Sequence, residues 1–154
     1  MQESNKFITE KNLVDVHQTA EEMRRLASTY WTDLGRWLDV PFLIYYRHVC
    51  RLPYYPDPEA VETVSRPAYT LRPDYAPRDC DDKSVLLAAW LFAHGLRVRF
   101  VASSTRPDKE LHHVFTQMDN GLFVDATYAK NADYIGIYPY FRKITHIEAL
   151  TNYF

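Results

Sequence analysis

The stretch Arg78-Asp79-Cys80-Asp81-Asp82-Lys83-Ser84 runs without a break into Val85-Leu86-Leu87-Ala88-Ala89-Trp90-Leu91-Phe92-Ala93, and this junction constrains the fold more than any other part of the chain. An unbroken apolar run behind a polar head reads as a buried helix with its start signals attached. Asp79 is a natural N-cap, Asp81 and Asp82 put carboxylates where the helix dipole is positive, and His94-Gly95 offers a basic residue and a C′ glycine at the far end. The spacing predicts a helix from about Cys80 to His94. The apolar run is well short of the roughly 20 residues needed to span a bilayer, so no membrane partner is expected.

A cysteine in a helix's first turn is chemically distinct, because unpaired backbone N–H groups and the positive end of the dipole favour thiolate over thiol. Asp79, Asp81 and Asp82 oppose that effect, so activation of Cys80 requires an imidazolium close by. The ordinary alternative is a buried cysteine in a core. The polar first turn argues against it.

The chain has 154 residues and 47% hydrophobic content, enough for one domain with a real core and too few for two comfortable ones. A net charge of −2 and the absence of any Lys/Arg block give no electrostatic reason to expect nucleic acid. The start, Met1 to Lys6, lacks the pattern of a secretory signal. Cys50 and Cys80 are the two cysteines, with no zinc-type Cys/His spacing; free thiols in a reducing cytoplasm are the simpler expectation, with no cofactor or metal.

From Thr9 to about Leu38, apolar residues recur at helical spacing through Leu13, Val16, Ala20, Met23, Ala27, Tyr30, Leu34 and Trp37, which predicts one long amphipathic helix or two in series. Asp39-Val40-Pro41 breaks it, and a helix from Pro41 to about Cys50 follows. Arg51 to Pro77 is proline-rich yet aromatic, and reads as an ordered loop on the core with a short helical turn over Glu59 to Val64. Beyond Gly95 the period changes to two. Strands are expected over Arg97–Ala102, Leu111–Met118 and Leu122–Thr127, the last two joined at Asp119-Asn120-Gly121 as a hairpin. The tail offers an aromatic strand through Tyr134, Ile135, Ile137, Tyr138 and Phe141, then Thr145-His146-Ile147-Glu148 as a capping box opening a short terminal helix.

Amide chemistry at a thiol needs a base beside it and a group that orients the base. Leu111-His112-His113-Val114-Phe115 supplies histidines and Leu122-Phe123-Val124-Asp125 a carboxylate. Neighbours in a strand face opposite ways, so His112 and His113 cannot serve one site, and no di-histidine metal chelate forms. A two-residue Asn120-Gly121 turn puts Asp125 on the side of His112. A three-residue loop with Gly121 left-handed puts Met118 opposite Leu122 and Asp125 on the side of His113. The second register gathers Val114, Met118, Leu122 and Val124 on one apolar face and is preferred for that reason.

These motifs, Arg78-Asp79-Cys80-Asp81-Asp82-Lys83 with its Ala/Leu helix, His113-Val114-Phe115, and Val124-Asp125-Ala126-Thr127, resemble the transglutaminase-like superfamily of papain-related cysteine enzymes. Tyr54-Tyr55-Pro56-Asp57-Pro58 and Pro67-Ala68-Tyr69-Thr70-Leu71 are similar to the segment before the cysteine in bacterial and phage members, and the likeness covers roughly residues 40 to 128. The resemblance implies an α+β fold, N-terminal helices followed by a cysteine-bearing central helix packed on an antiparallel sheet. It implies Cys80 as nucleophile, His113 as general base and acid, and Asp125 as the residue orienting the imidazole. Residues 1–40 would form a helical extension, 41–128 the core and 129–154 an aromatic tail. Two positions depart from the pattern: Arg78 stands where a glycine is usual, which would crowd the thiol, and Ala126 where a proline is common. For the oxyanion, the Cys80 N–H is one donor and a side chain such as Tyr55 another.

The expected function is cysteine-dependent acyl transfer at an amide or peptide bond, with a protein or peptide as substrate. Water and an amine both remain open as acceptor, and the likeness to peptidase-type relatives favours water. The alternative is a phage or prophage structural or assembly protein with an idle site, whose partners are phage structural proteins. His17, His48, His94 and His146 have no visible partner, Cys50 reads as core, and the acidic trio reads as capping groups ahead of a cation site.

Overall fold

Helix α4 (Cys80–Ala93) is surrounded on all sides in the computed structural model: every residue from Asp81 to Leu91 is buried. The structure describes residues 6–10, 15–58, 61–127, 135–136 and 143–154. The architecture is α+β, with helices on α4 and an antiparallel sheet behind it. Asp79 caps the helix: its Oδ1 accepts from Asp81 N at 3.0 Å and Asp82 N at 3.4 Å, while Asp82 Oδ2 accepts from Asp79 N at 3.1 Å. At the other end the chain leaves through Gly95 at φ +75°, a conformation that costs glycine nothing.

Before α4 come β1 (Lys6–Glu10), α1 (Val16–Thr29), 3-10 turns over Trp31–Asp39, α2 (Phe42–Arg51), β2 (Val61–Ser65) and α3 (Pro67–Thr70). Helix α1 is fixed at its start by a reciprocal box, Asp15 Oδ1 accepting from Gln18 N and Gln18 Oε1 from Asp15 N, both at 2.9 Å. Its stripe Ala20, Met23, Leu26 and Ala27 faces the core. The helical period expected from Thr9 to Leu38 is only partly a helix. Thr9 and Glu10 belong to β1, and Gly35 at φ +54°, ψ −123° kinks the turns beyond Trp31. The period survives the kink because 3-10 and α turns place apolar residues at nearly the same spacing. Trp90 Nε1 ties the kinked segment down by donating to Trp37 O at 2.8 Å.

The expected helical turn over Glu59 to Val64 is instead a strand from Val61; Glu59 lies outside the described residues. Val61, Thr63 and Val64 are β-branched and pair antiparallel with β1, Phe7 opposite Val64 and Thr9 opposite Glu62. The proline-rich segment is ordered by Arg78. Its guanidinium, fully buried, donates to the carbonyls of Thr70 and Pro53 at 2.9 Å each and to that of Arg72, and its backbone bridges to Tyr55.

After α4 the strands are β3 (Val98–Ser104), β4 (His113–Met118), β5 (Phe123–Val124), β6 (Ile135–Gly136) and β7 (His146–Ala149), in spatial order β6-β5-β4-β3-β7 and all antiparallel. Of the expected aromatic tail strand, Ile135 lies in β6, and Tyr134, Ile137, Tyr138 and Phe141 lie outside the described residues. The terminal helix expected at Thr145-His146-Ile147-Glu148 is β7. Thr145 Oγ1 donates to Ser104 O at 3.2 Å instead of capping, and Glu148 Oε2 pairs with His17 Nε2 at 2.7 Å. Among the described residues no helix is long and apolar enough to cross a membrane.

Candidate active site

The sheet decides which histidine meets Asp125. Met118 N donates to Leu122 O and Gly121 N to Met118 O, both at 2.9 Å, and Gly121 sits at φ +91°. The loop is therefore the three-residue Asp119-Asn120-Gly121 form, with Thr116 opposite Val124 and Gln117 opposite Phe123. Asp125 then falls diagonal to His113. His113 Nε2–H donates to Asp125 Oδ2 at 2.6 Å, and both side chains are 2% exposed. Val114 and Val124 turn to the core around α4, as the preferred register requires, while Leu122 stands 41% exposed at the hairpin end and does not join that face.

Asp125 is held at three points. Beyond the His113 contact, its Oδ1 accepts from Thr127 N at 2.8 Å, and its carbonyl accepts from the buried Tyr46 hydroxyl at 2.6 Å. The His113 ring stacks on Phe115, centroids 5.4 Å apart. With Nε2 committed to Asp125, Nδ1 is the atom through which His113 would exchange a proton with a thiol. His112 is exposed and lines the same cavity as His113, but its Nε2 is taken up in accepting from Thr105 N at 2.9 Å, which braces the loop after β3.

Cys80 opens α4 at the rim of a cavity of about 570 Å³ that His113 and Val114 also line. Asp79 takes the amides of Asp81 and Asp82 on its side chain and that of Lys83 on its carbonyl at 3.1 Å. Cys50 and Cys80 are free thiols. The Cys80 thiol points to Asp81 Oδ1 at 3.9 Å. Burial pushes its pKa well above the ordinary range, Asp81 and Asp79 push it further, and a backbone hydrogen bond at Val114 opposes them. Helix-end stabilisation is thus outweighed, and the resting group is a thiol.

The carboxyls around it are raised too. Asp79 is pushed up to about 11 by burial and by Asp81 and Asp82, and Asp82 to about 7 by burial, against hydrogen bonds from Asp79 N and Ser65 N. Asp81 rises through burial and its contact with Glu62. Asp79 and Asp82 are capping groups, as the sequence suggested, and Asp79 also lines the cavity beside Asp81. Among the described residues, donor atoms of Asp57, Glu62 and Asp79, and of Asp79, Cys80 and Asp81, lie within 4.8 Å of one another and are the groups that could hold a cation.

Arg78 does not crowd the thiol, because its side chain is drawn into the proline-rich segment and away from the cavity lining. Tyr55 bridges to Arg78 through its backbone, and its side chain is not among the cavity-lining residues, where the tyrosine is Tyr54. The roles of Tyr46, Asp57 and Glu62 carry no local sequence signal, since each depends on a contact distant in sequence. Compared with family models, curated proteins and solved structures, the chain matches none.

Proposed function

We propose that the chain is a cysteine-dependent acyl-transfer enzyme of the transglutaminase-like kind, acting on an amide or peptide bond by hydrolysis. The observation that carries this reading is the buried His113–Asp125 pair at 2.6 Å opening on the cavity that Cys80 also lines. A protonated resting thiol makes His113 a general base in the attack step. The Cys80 proton passes to His113 as Sγ bonds to the substrate carbonyl carbon; the imidazolium, steadied by Asp125, then gives that proton to the leaving amine as the C–N bond breaks. Water resolves the thioester, losing its proton to His113, and regenerates the thiol. The oxyanion would be met by the Cys80 N–H at the positive end of α4.

The test is the rate of Cys80 alkylation by iodoacetamide against pH in a Cys50→Ser background, with and without His113→Ala. A rate that falls when His113 is removed supports the enzyme. A rate that follows hydroxide alone and ignores His113 favours the second reading, a phage structural or assembly protein with an idle site. The raised thiol pKa is the observation on that side. Stoichiometric retention in a particle would support that second reading directly.

A further inference from the structure

The histidine that the reaction above leaves unused closes the neck of a loop on the cavity. Strand β3 ends at Ser104 and β4 begins at His113, so Thr105 opens the connecting loop and His112 closes it. The ladder reaches this neck with His112 N donating to Ser103 O at 3.0 Å. Beyond it the bonding passes to a side chain: the Thr105 N–H donates to His112 Nε2 at 2.9 Å, and Thr105 Oγ1 lies 3.1 Å from the same nitrogen. The returning arm, Glu110, Leu111 and His112, walls the cavity that Cys80 lines and leads straight into His113.

A backbone N–H can only donate, so the ring nitrogen that receives it must carry a lone pair. The contact therefore fixes His112 as a neutral imidazole with its proton on Nδ1. Protonation turns Nε2 into a second donor. The Thr105 hydroxyl can rotate to accept it, but the Thr105 N–H then loses its partner. The charged and titratable groups facing the ring are Arg106 and Asp108 on the loop and His113 on β4. Burial lowers the His112 pKa, Arg106 and His113 lower it further, and Asp108 opposes them, so the ring stays neutral until the solution turns mildly acid.

Other bonds shape the loop without closing its neck. Lys109 N donates to Arg106 O at 3.1 Å and Glu110 N to Asp108 Oδ1 at 2.9 Å, which form the tip. Arg106 Nη1 and Glu110 Oε2 are 3.4 Å apart with both side chains more than half exposed, a pair that contributes little. Lys109 sits at φ +61°, a left-handed conformation that a lysine keeps only under restraint.

We propose that His112 is a positioning residue: its neutral ring latches the loop between β3 and β4 and so holds Glu110 and Leu111 in the cavity wall, and mild acid releases the latch. The consequence for catalysis rests on reading Cys80 and His113 as one reaction centre. The latch itself does not.

The experiment compares the unaltered ring with His112→Gln, whose Oε1 can accept from the Thr105 N–H without titrating, and with His112→Ala, all in the Cys50→Ser background. The first readout is the protection factor of the Thr105 amide between pH 5 and pH 8, set beside the 15N shifts of the His112 ring. The expected result is a roughly three- to tenfold loss of protection in acid, the scale of one hydrogen bond, at the midpoint of the His112 titration. The Glu110 and Leu111 amide shifts should move in step. Protection should hold at its pH 8 level throughout in His112→Gln and be low throughout in His112→Ala. A proton on His112 Nε2 at pH 8, protection that ignores the His112 midpoint, or a His112→Gln chain as unprotected as His112→Ala would overturn the proposal. The second readout is the His113-dependent part of Cys80 alkylation by iodoacetamide. Its fall in acid should be steeper with His112 than with His112→Gln, because both imidazoles must then be neutral; equal steepness overturns the positioning role. A Cys80 without His113-dependent reaction, beside a latch that titrates as expected, would sink the proposed function and support the latch.

Discussion

His113 Nε2 and Asp125 Oδ2 are 2.6 Å apart with both side chains 2% exposed, and the two residues lie on neighbouring strands whose register is set by a three-residue loop. A carboxylate buried against an imidazole is favourable only because each satisfies the other.

Asp125→Asn keeps the shape of the pair and changes its chemistry. The amide can present an N–H to the ring, favouring the tautomer with the proton on Nδ1, the atom that has to accept one from Cys80. The expected loss is roughly two to four orders of magnitude in any Cys80-dependent turnover, with the fold retained by circular dichroism. Turnover within tenfold of the parent would remove Asp125 from the mechanism.

Asp81→Asn removes the carboxyl nearest the Cys80 thiol, 3.9 Å from Sγ. Since Asp81 is the largest electrostatic contribution raising this thiol once its own raised carboxyl has ionised, the alkylation midpoint should move to lower pH. Each unit of fall multiplies the thiolate fraction by about ten. An unchanged midpoint in Asp81→Asn would show that burial alone protects the thiol.

Stability should fall as pH rises. Asp82 moves from 3.8 up to about 7 on folding and Asp79 from 3.8 up to about 11, so the folded chain keeps protons that the unfolded chain releases. The contribution is fully present below about pH 4 and is lost as pH climbs through about 7 for Asp82 and onward for Asp79. His17, raised chiefly by its hydrogen bond to Glu148, adds a loss in the same direction above its ordinary range. Thermal melts at constant ionic strength should show Tm dropping between pH 5 and pH 8. A Tm that rises across that window contradicts the assignment.

Arg78→Met should destabilise the fold by roughly 1–3 kcal/mol, because the buried Thr70 carbonyl and the part-buried carbonyls of Arg72 and Pro53 lose their donor. Urea unfolding measures the loss, and limited proteolysis should now cut between residues 53 and 77. Since Arg78 is outside the cavity lining, Cys80 alkylation in the folded fraction should change little.

Local signals were reliable where the stabilising partner lies within a few residues. The Asp79 cap, the apolar run and Gly95 fixed α4 as Cys80–Ala93, one residue from the expected end. Asp119-Asn120-Gly121 marked the hairpin, and the apolar face of Val114, Met118, Leu122 and Val124 selected the register that pairs His113 with Asp125, although Leu122 itself stands exposed. Signals of the same strength misled where the partner is remote. Thr145 and Glu148 carry a capping-box spacing, yet β3, more than 40 positions earlier, offers a full ladder, and Ser104 and His17 engage their side chains. Val61–Ser65 becomes a strand because β1 lies beside it.

The sequence alone therefore determined the buried cysteine helix, the hairpin and the three residue types a thiol mechanism requires, since each follows from backbone bonding and side-chain alternation over short distances. Only the tertiary structure decided the state of the thiol, the retreat of Arg78 from the cavity, and the bracing of Asp125 by Tyr46. Those depend on desolvation and on contacts between segments far apart in the chain, and burial is a property that no local pattern carries.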